Sequence, residues 1–159
     1  MTEIAIVPFR RELAPAFRQL NLDWIERLFR VEAPDLKVLE NPESAIVATG
    51  GMVFFALDGG TPVGTVAMIR VSDERFELAK MAVATAHQRR GIGELLGAAG
   101  IGWARAAGAK AVFLETNSRL ANAIRLYERL GFRHAAHPHP SDYARADYYM
   151  ELPIAGGGS

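Results

Sequence analysis

Apolar residues change their spacing many times along the 159 residues, and each change marks an element. Residues 4–7 read as a short strand. Leu13, Phe17, Leu20, Trp24, Ile25, Leu28 and Phe29 then recur at helical spacing, with Asn21 in their midst predicting two short helices rather than one. Residues 30–40 read as irregular chain around Pro34. Asn41-Pro42-Glu43 has the form of a helix start, with Asn41 as N-cap and proline at the first helical position. Residues 52–57 are apolar and aromatic, a strand. Asp58-Gly59-Gly60-Thr61 is a hairpin turn, since glycine accepts positive φ, and 63–71 is the return strand. Ser72-Asp73-Glu74 turns the chain into a further strand at 76–83. Residues 92–107 form an amphipathic helix, with Ile92, Leu95, Leu96, Ala99 and Trp103 sharing a face and Gly108 as its C′ residue. A buried strand follows at 111–115. Leu120, Ala123, Ile124, Tyr127 and Leu130 mark another helix, closed by Gly131. Residues 132–134 and 147–152 are strands on either side of a loop holding His137-Pro138-His139-Pro140.

An antiparallel meander followed by a β–α–β unit predicts a mixed α/β sheet in one domain, residues 1–154. The end, 155–159, reads Ala-Gly-Gly-Gly-Ser, a flexible tail or linker.

Composition narrows the function. Half the residues are hydrophobic and the formal net charge is zero, so a basic surface for nucleic acid is not expected. The chain has no cysteine. That removes disulfides, thiolate zinc sites and an acyl-cysteine mechanism. His134, His137 and His139 fit no standard zinc spacing, and no metal is expected. No apolar run is long enough for a signal peptide or a bilayer span, which makes the cytoplasm the default location.

The chemistry concentrates at Gln88-Arg89-Arg90-Gly91-Ile92-Gly93, between a strand and an apolar helix. Two glycines allow close approach of the backbone and unusual angles. The first turn of the helix leaves N–H groups unpaired and its dipole favours an anion. Arg89 and Arg90 add charge, so the turn suits phosphate or pyrophosphate. Gly91, Gly93 and Gly97 also echo a dinucleotide fingerprint. That motif, however, runs from an apolar strand directly into its first glycine, and here residues 85–90 intervene. A plain surface turn is the remaining reading. No lysine followed by serine or threonine makes a Walker loop.

Three segments together resemble the GNAT superfamily of N-acetyltransferases: the strand Glu77-Leu78-Ala79-Lys80-Met81-Ala82-Val83; the 88–93 turn, which fits the signature Gln/Arg-x-x-Gly-x-Gly/Ala; and Ala123-Ile124-Arg125-Leu126-Tyr127-Glu128-Arg129-Leu130-Gly131-Phe132, close to that family's Leu-Tyr…Gly-Phe ending. The resemblance is good over 54–152 and holds only in pattern before that. It implies a twisted, mostly antiparallel central sheet with a splayed strand pair, flanked by helices, and acetyl-CoA as co-substrate. Its pyrophosphate would lie on the backbone of Arg89, Arg90, Gly91, Ile92 and Gly93, with Gln88 at the mouth. Met81 and Val83 would offer backbone to the pantetheine.

The same resemblance gives Tyr127 the role of protonating the departing thiolate, although helical spacing alone makes it a core aromatic. It gives Glu77 the role of general base, on a strand face that period-two alternation shares with Ala79, Met81 and Val83. Glu115, at the end of the next strand, is the rival base. The family's asparagine seven residues before the tyrosine is replaced here by Leu120. Asn117, about three helical turns before Tyr127, is the substitute contact for the cofactor arm, or a helix cap. The acceptor would be a small-molecule or peptide amine, and families of this kind are commonly homodimeric. A non-catalytic acyl-CoA-binding or sensing module is the alternative.

Overall fold

A computed structural model of the chain describes residues 3–155; the tail residues 156–159 lie outside them. Strands β1 (Ile4–Pro8), β2 (Met52–Asp58), β3 (Thr61–Arg70), β4 (Arg75–Val83), β5 (Ala111–Thr116), β6 (Arg133–His134) and β7 (Tyr148–Pro153) form one sheet in the order β1-β2-β3-β4-β5-β7-β6. Every pairing is antiparallel except β4 with β5. The mixed, mostly antiparallel α/β sheet expected from the element order is present. Gly59 and Gly60 have φ of 58° and 88°, as the two-residue hairpin between β2 and β3 requires.

Helices α1 (Ala14–Leu28) and α2 (Ala33–Leu39) cover one face of the sheet, where Phe17, Ile25, Leu39, Phe55 and Ala67 form one core cluster. Helices α3 (Ile92–Ala106) and α4 (Ala121–Arg129) lie on the other, where Phe76, Leu78, Leu96, Val112 and Phe132 belong to a second. Within α3 the buried stripe includes Ile92, Leu96, Gly100, Ile101 and Ala104. Leu95, expected on that face, is instead 47% exposed. Gly97 is a packing residue: a Cβ there would come within 2.5 Å of Leu130, next to α4.

Three expectations for the first fifty residues are corrected. Helix α1 is continuous, because Asn21 is buried and its amide is satisfied inside the helix. Its Nδ2 donates to the Phe17 carbonyl at 3.0 Å and its Oδ1 accepts from Trp24 Nε1 at 3.2 Å. Residues expected to be irregular contain α2. Pro34 stands in its first turn, and a capping box joins Glu32 to Asp35. Asn41 caps no helix with its side chain; a single wide turn over Glu43–Val47 follows it.

The decisive irregularity is in β4. Between Thr65 and Ala67 of β3 the register slips, so Lys80 and Met81 together oppose Val66. This is a β-bulge, with Lys80 at φ 55°. It reverses the parity of the strand. Glu77 pairs with Ile69, which packs against the α1/α2 cluster, whereas Met81 and Val83 pack against the α3/α4 cluster. The single face expected for Glu77, Ala79, Met81 and Val83 does not exist.

Candidate active site

The parallel pairing of β4 with β5 runs only from Arg75 opposite Ala111 to Glu77 opposite Phe113. Beyond it the strands part. A cavity of about 900 Å³ occupies the gap and continues to the start of α3. It is lined by Glu77, Met81, Val83, Gln88, Arg89, Gly91, Ile92, Gly93, Asn117 and Tyr127, and also by Glu115. Arg90 is not among the lining residues.

The turn into α3 is shaped by backbone. Arg89 and Gly91 have φ of 65° and 76°, both left-handed. The first amide to bond back into α3 is that of Leu95, onto the Gly91 carbonyl at 3.1 Å, which leaves the preceding N–H groups facing the cavity end of the helix. Gly93 serves packing as well: a Cβ there would lie 2.8 Å from Leu126 of α4. Gln88 is pinned, its Nε2 donating to the Val83 carbonyl at 3.2 Å. His87, just before it, holds Asp58 of the β2–β3 hairpin through Nε2 at 2.9 Å. Six arginines border the cavity; Arg129 pairs with Glu94 and Arg145 with Asp35, which leaves Arg27, Arg89, Arg119 and Arg125 without a carboxylate partner among the described residues.

Glu77 sits where β4 and β5 begin to diverge. Its carboxylate has no hydrogen bond among the described residues. Burial, reinforced by the nearby Glu115 carboxylate and weakly by Asp142, raises its pKa to about 7 against the pull of Lys80. Glu115 lies two residues beyond Phe113 on the same strand face and accepts or shares a hydrogen bond with His137 Nε2 at 2.7 Å. Tyr127 enters from α4 with its ring edge-on to Phe132, 6.2 Å between centroids. Its hydroxyl has no partner among the described residues. Burial pushes the phenol up to about 12, so it is a neutral proton donor at pH 7. The aromatic therefore packs against the core and lines the cavity at once. Asn117 has both ends of its amide engaged: Nδ2 donates to the Arg145 carbonyl at 2.7 Å and Oδ1 accepts from the Arg119 amide at 2.9 Å.

The sequence offers Tyr143 as a residue of an acceptor pocket but not the ion cluster at the cavity edge to which it belongs. Lys80 Nζ reaches Asp35 Oδ1 at 2.6 Å and Tyr143 Oη at 3.1 Å. Arg145 bonds both oxygens of Asp35, at 2.8 and 2.5 Å, and Glu32 at 3.2 Å. Asp35 is fully buried; burial by itself would raise its pKa, but hydrogen bonds from Arg145 and Lys80 hold it at about 2. The cluster fastens α2 to the β4 bulge and to the 135–147 loop. Two signals for it were present: the Glu32/Asp35 capping spacing around Pro34, and a lysine inside an apolar strand.

Among the described residues no helix is long and apolar enough to cross a membrane, and no group of side chains is arranged to hold a metal ion. No curated protein matches the chain. Among solved structures it is similar to a GNAT-family acetyltransferase from Staphylococcus aureus Mu50, with 21% identity, a TM-score of 0.88, and coverage of 96% of this chain and 100% of that one. YncA from Salmonella typhimurium, solved with its cofactor acetyl-CoA, has 22% identity and a TM-score of 0.77 over 97% and 95% of the two chains. A ribosomal-protein alanine N-acetyltransferase from Escherichia coli has 24% identity and a TM-score of 0.73 over 99% of each. At these identities the likeness establishes the fold. The sequence itself matches the Acetyltransferase (GNAT) family over residues 15–132, most of the chain, and the protein belongs to that family.

Proposed function

We propose that this protein transfers the acetyl group of acetyl-CoA to a primary amine by direct attack in a ternary complex, with residues 1–154 working as one domain and 155–159 as a tail. The observation that carries the reading is the parting of β4 from β5 immediately before the start of α3, combined with the bulge at Lys80. The bulge turns Glu77 toward the α1/α2 face and Met81 and Val83 toward the α3/α4 face. Two substrates can then enter from opposite faces and meet in the gap.

On the donor side, the free amides at the start of α3 and the backbone of 89–93 would hold the pyrophosphate, with Arg90 flanking and Gln88 at the mouth. The pantetheine would run past Met81 and Val83 toward Asn117. An amine reaches the site mostly as ammonium and must lose a proton before it attacks the thioester carbonyl. Glu77, poised near neutrality, would take that proton directly or through a water. A backbone N–H near Met81 or Val83 would stabilise the charge developing on the carbonyl oxygen. The bond that breaks is carbon to sulfur, and Tyr127 would protonate the departing thiolate. No acyl-enzyme is required.

Calorimetric titration of acetyl-CoA, with NADPH as comparator, tests the donor half. Acetyl-CoA is expected to bind at micromolar concentration and NADPH not at all. Thiol release with an amine then tests the chemistry: Tyr127→Phe should slow turnover by about tenfold to a hundredfold while leaving acetyl-CoA affinity unchanged. Binding without thiol release toward any amine would instead support a sensing module.

A further inference from the structure

The chain between β4 and α3 has little to hold it down. Of residues 85–91 only His87 is not exposed. The stretch leaves β4 with the Ala84 amide on the Val63 carbonyl of β3 at 2.8 Å, and it regains regular structure at α3. Between these points, two side chains tie it to elements beyond β4 among the described residues. Thr85 Oγ1 accepts from Arg27 at a long 3.4 Å in an exposed position. His87 is bonded to Asp58 at 2.9 Å, with the two side chains only 21% and 19% exposed. Asp58 is a firm anchor: it ends β2, paired with Ile4 of β1 on one side and Thr61 of β3 on the other. Its carboxylate accepts, so Nε2 carries the hydrogen. Nδ1 is buried and has no hydrogen-bond partner among the described residues. The ring gains nothing from that second nitrogen, and the bond to Asp58 is what places it.

Resting on the transferase reading above, we propose that His87 and Asp58 are positioning residues for coenzyme A: the pair braces the 88–93 turn against the β2–β3 hairpin before the ligand arrives. The left-handed angles at Arg89 and Gly91 give the turn its shape. The pair fixes where that shape sits on the sheet. With His87 held, only 88–90 separate a fixed point from the Gly91 carbonyl that opens the α3 bonding; without it, the whole of 85–91 must be ordered when the pyrophosphate binds. Ordering done in advance is a cost the ligand does not bear. His87 lines the cavity and Asp58 does not, so Asp58 acts on the ligand only through the imidazole and the turn that follows it.

The test titrates free coenzyme A by calorimetry into the wild type and a set of variants, and measures the Tm of each protein without ligand. His87→Phe keeps a ring and removes the donor, Asp58→Ala removes the acceptor, and His87→Gln restores an amide donor at a similar reach. The Kd for coenzyme A is expected to rise about fivefold in His87→Phe and in Asp58→Ala, the size of one partly exposed hydrogen bond. The Tm without ligand should fall by no more than about 2 °C, because the bond orders a surface turn and no core. The double variant should bind no worse than the weaker single one, as expected of two residues that act through one bond. His87→Gln should return the Kd to within about twofold of the wild type. A Kd for His87→Phe within about twofold of the wild type overturns the inference, and so do losses that add in the double variant. An affinity loss that follows a fall in Tm and is not recovered in His87→Gln also overturns it, since the pair is then structural only. Failure of coenzyme A to bind the wild type overturns the transferase reading and this inference with it.

Discussion

The two walls of the cavity are built in opposite ways. The donor wall, from Met81 to Gly93, is one unbroken stretch of chain whose form comes from backbone: left-handed angles at Arg89 and Gly91 and a helix start with open amides. The acceptor wall is assembled from side chains far apart in sequence. Asp35 and Lys80 are 45 positions apart, Asp35 and Arg145 110. A backbone site needs particular residues at particular spacing and so leaves a contiguous mark. A side-chain site needs only that the fold bring the right groups together. Substitution can therefore dismantle one wall and spare the other.

The largest expected effect is at Asp35. Lys80, Asp35 and Arg145 are 6%, 0% and 13% exposed at their side chains, so this is a buried ion cluster. Asp35→Asn leaves two cations short of a partner and should cost about 3–5 kcal/mol in chemical denaturation. The folded fraction should still hold the pyrophosphate, since the 88–93 turn is untouched, and any loss of acetyl-CoA affinity should come through the Lys80 bulge that sets Met81 and Val83. Because the folded pKa of Asp35 is depressed to about 2 from 3.8, its contribution is present above pH 3.8 and lost as pH falls toward 2. The variant should lack that part of the acid transition. A loss under about 1 kcal/mol would rank the cluster with surface ion pairs and remove it as the frame of the acceptor wall.

The next effect is at Glu77, where the gap is narrowest. Wild-type kcat/KM with a primary-amine acceptor should rise with pH through an apparent pKa near 7, as Glu77 ionises. Glu77→Gln should lower the rate by about a hundredfold and abolish that inflection. Stability supplies an independent check of opposite sign. A carboxyl whose folded pKa is raised from 4.5 to about 7 binds its proton more tightly in the folded chain. Its contribution is full below pH 4.5 and is lost as pH rises through 7. Glu77→Gln should flatten the fall in Tm over that interval. A variant that keeps the wild-type rate inflection would hand the role of base to Glu115.

The contrast between walls also explains what could be read from the residues alone. The order of elements along the chain, the β2–β3 hairpin, the glycine turn and the Tyr127 helix follow from local spacing, and each stands in the fold. The bulge at Lys80 does not announce itself, because a lysine at positive φ is disfavoured locally and is held there by Asp35, 45 positions upstream. Without the bulge, period-two alternation puts Glu77 and Met81 on one face, and the two-sided entry to the gap is lost. Helix α2 was missed for a related reason. Pro34 reads as a breaker, and only the Glu32/Asp35 box shows it to be a beginning.

The smallest effect sharpens the comparison most, since it separates stability from binding within the donor wall itself. Arg89 sits at φ 65°, a conformation that costs a residue with a Cβ roughly 1 kcal/mol. Arg89→Gly relieves that strain but loosens the unfolded chain, for a net gain of about 0.5 kcal/mol, or about 1–2 °C in Tm. It also removes a cation that lines the cavity, so the Kd for acetyl-CoA should rise about threefold at low salt and less at high salt. Gly91→Ala is the control. A Cβ there meets nothing within 4 Å, so its whole effect is the strain of φ 76°, and Tm should fall. If Arg89→Gly lowers Tm while Gly91→Ala behaves as stated, the arginine side chain holds the turn in shape, and the donor wall depends on side chains after all.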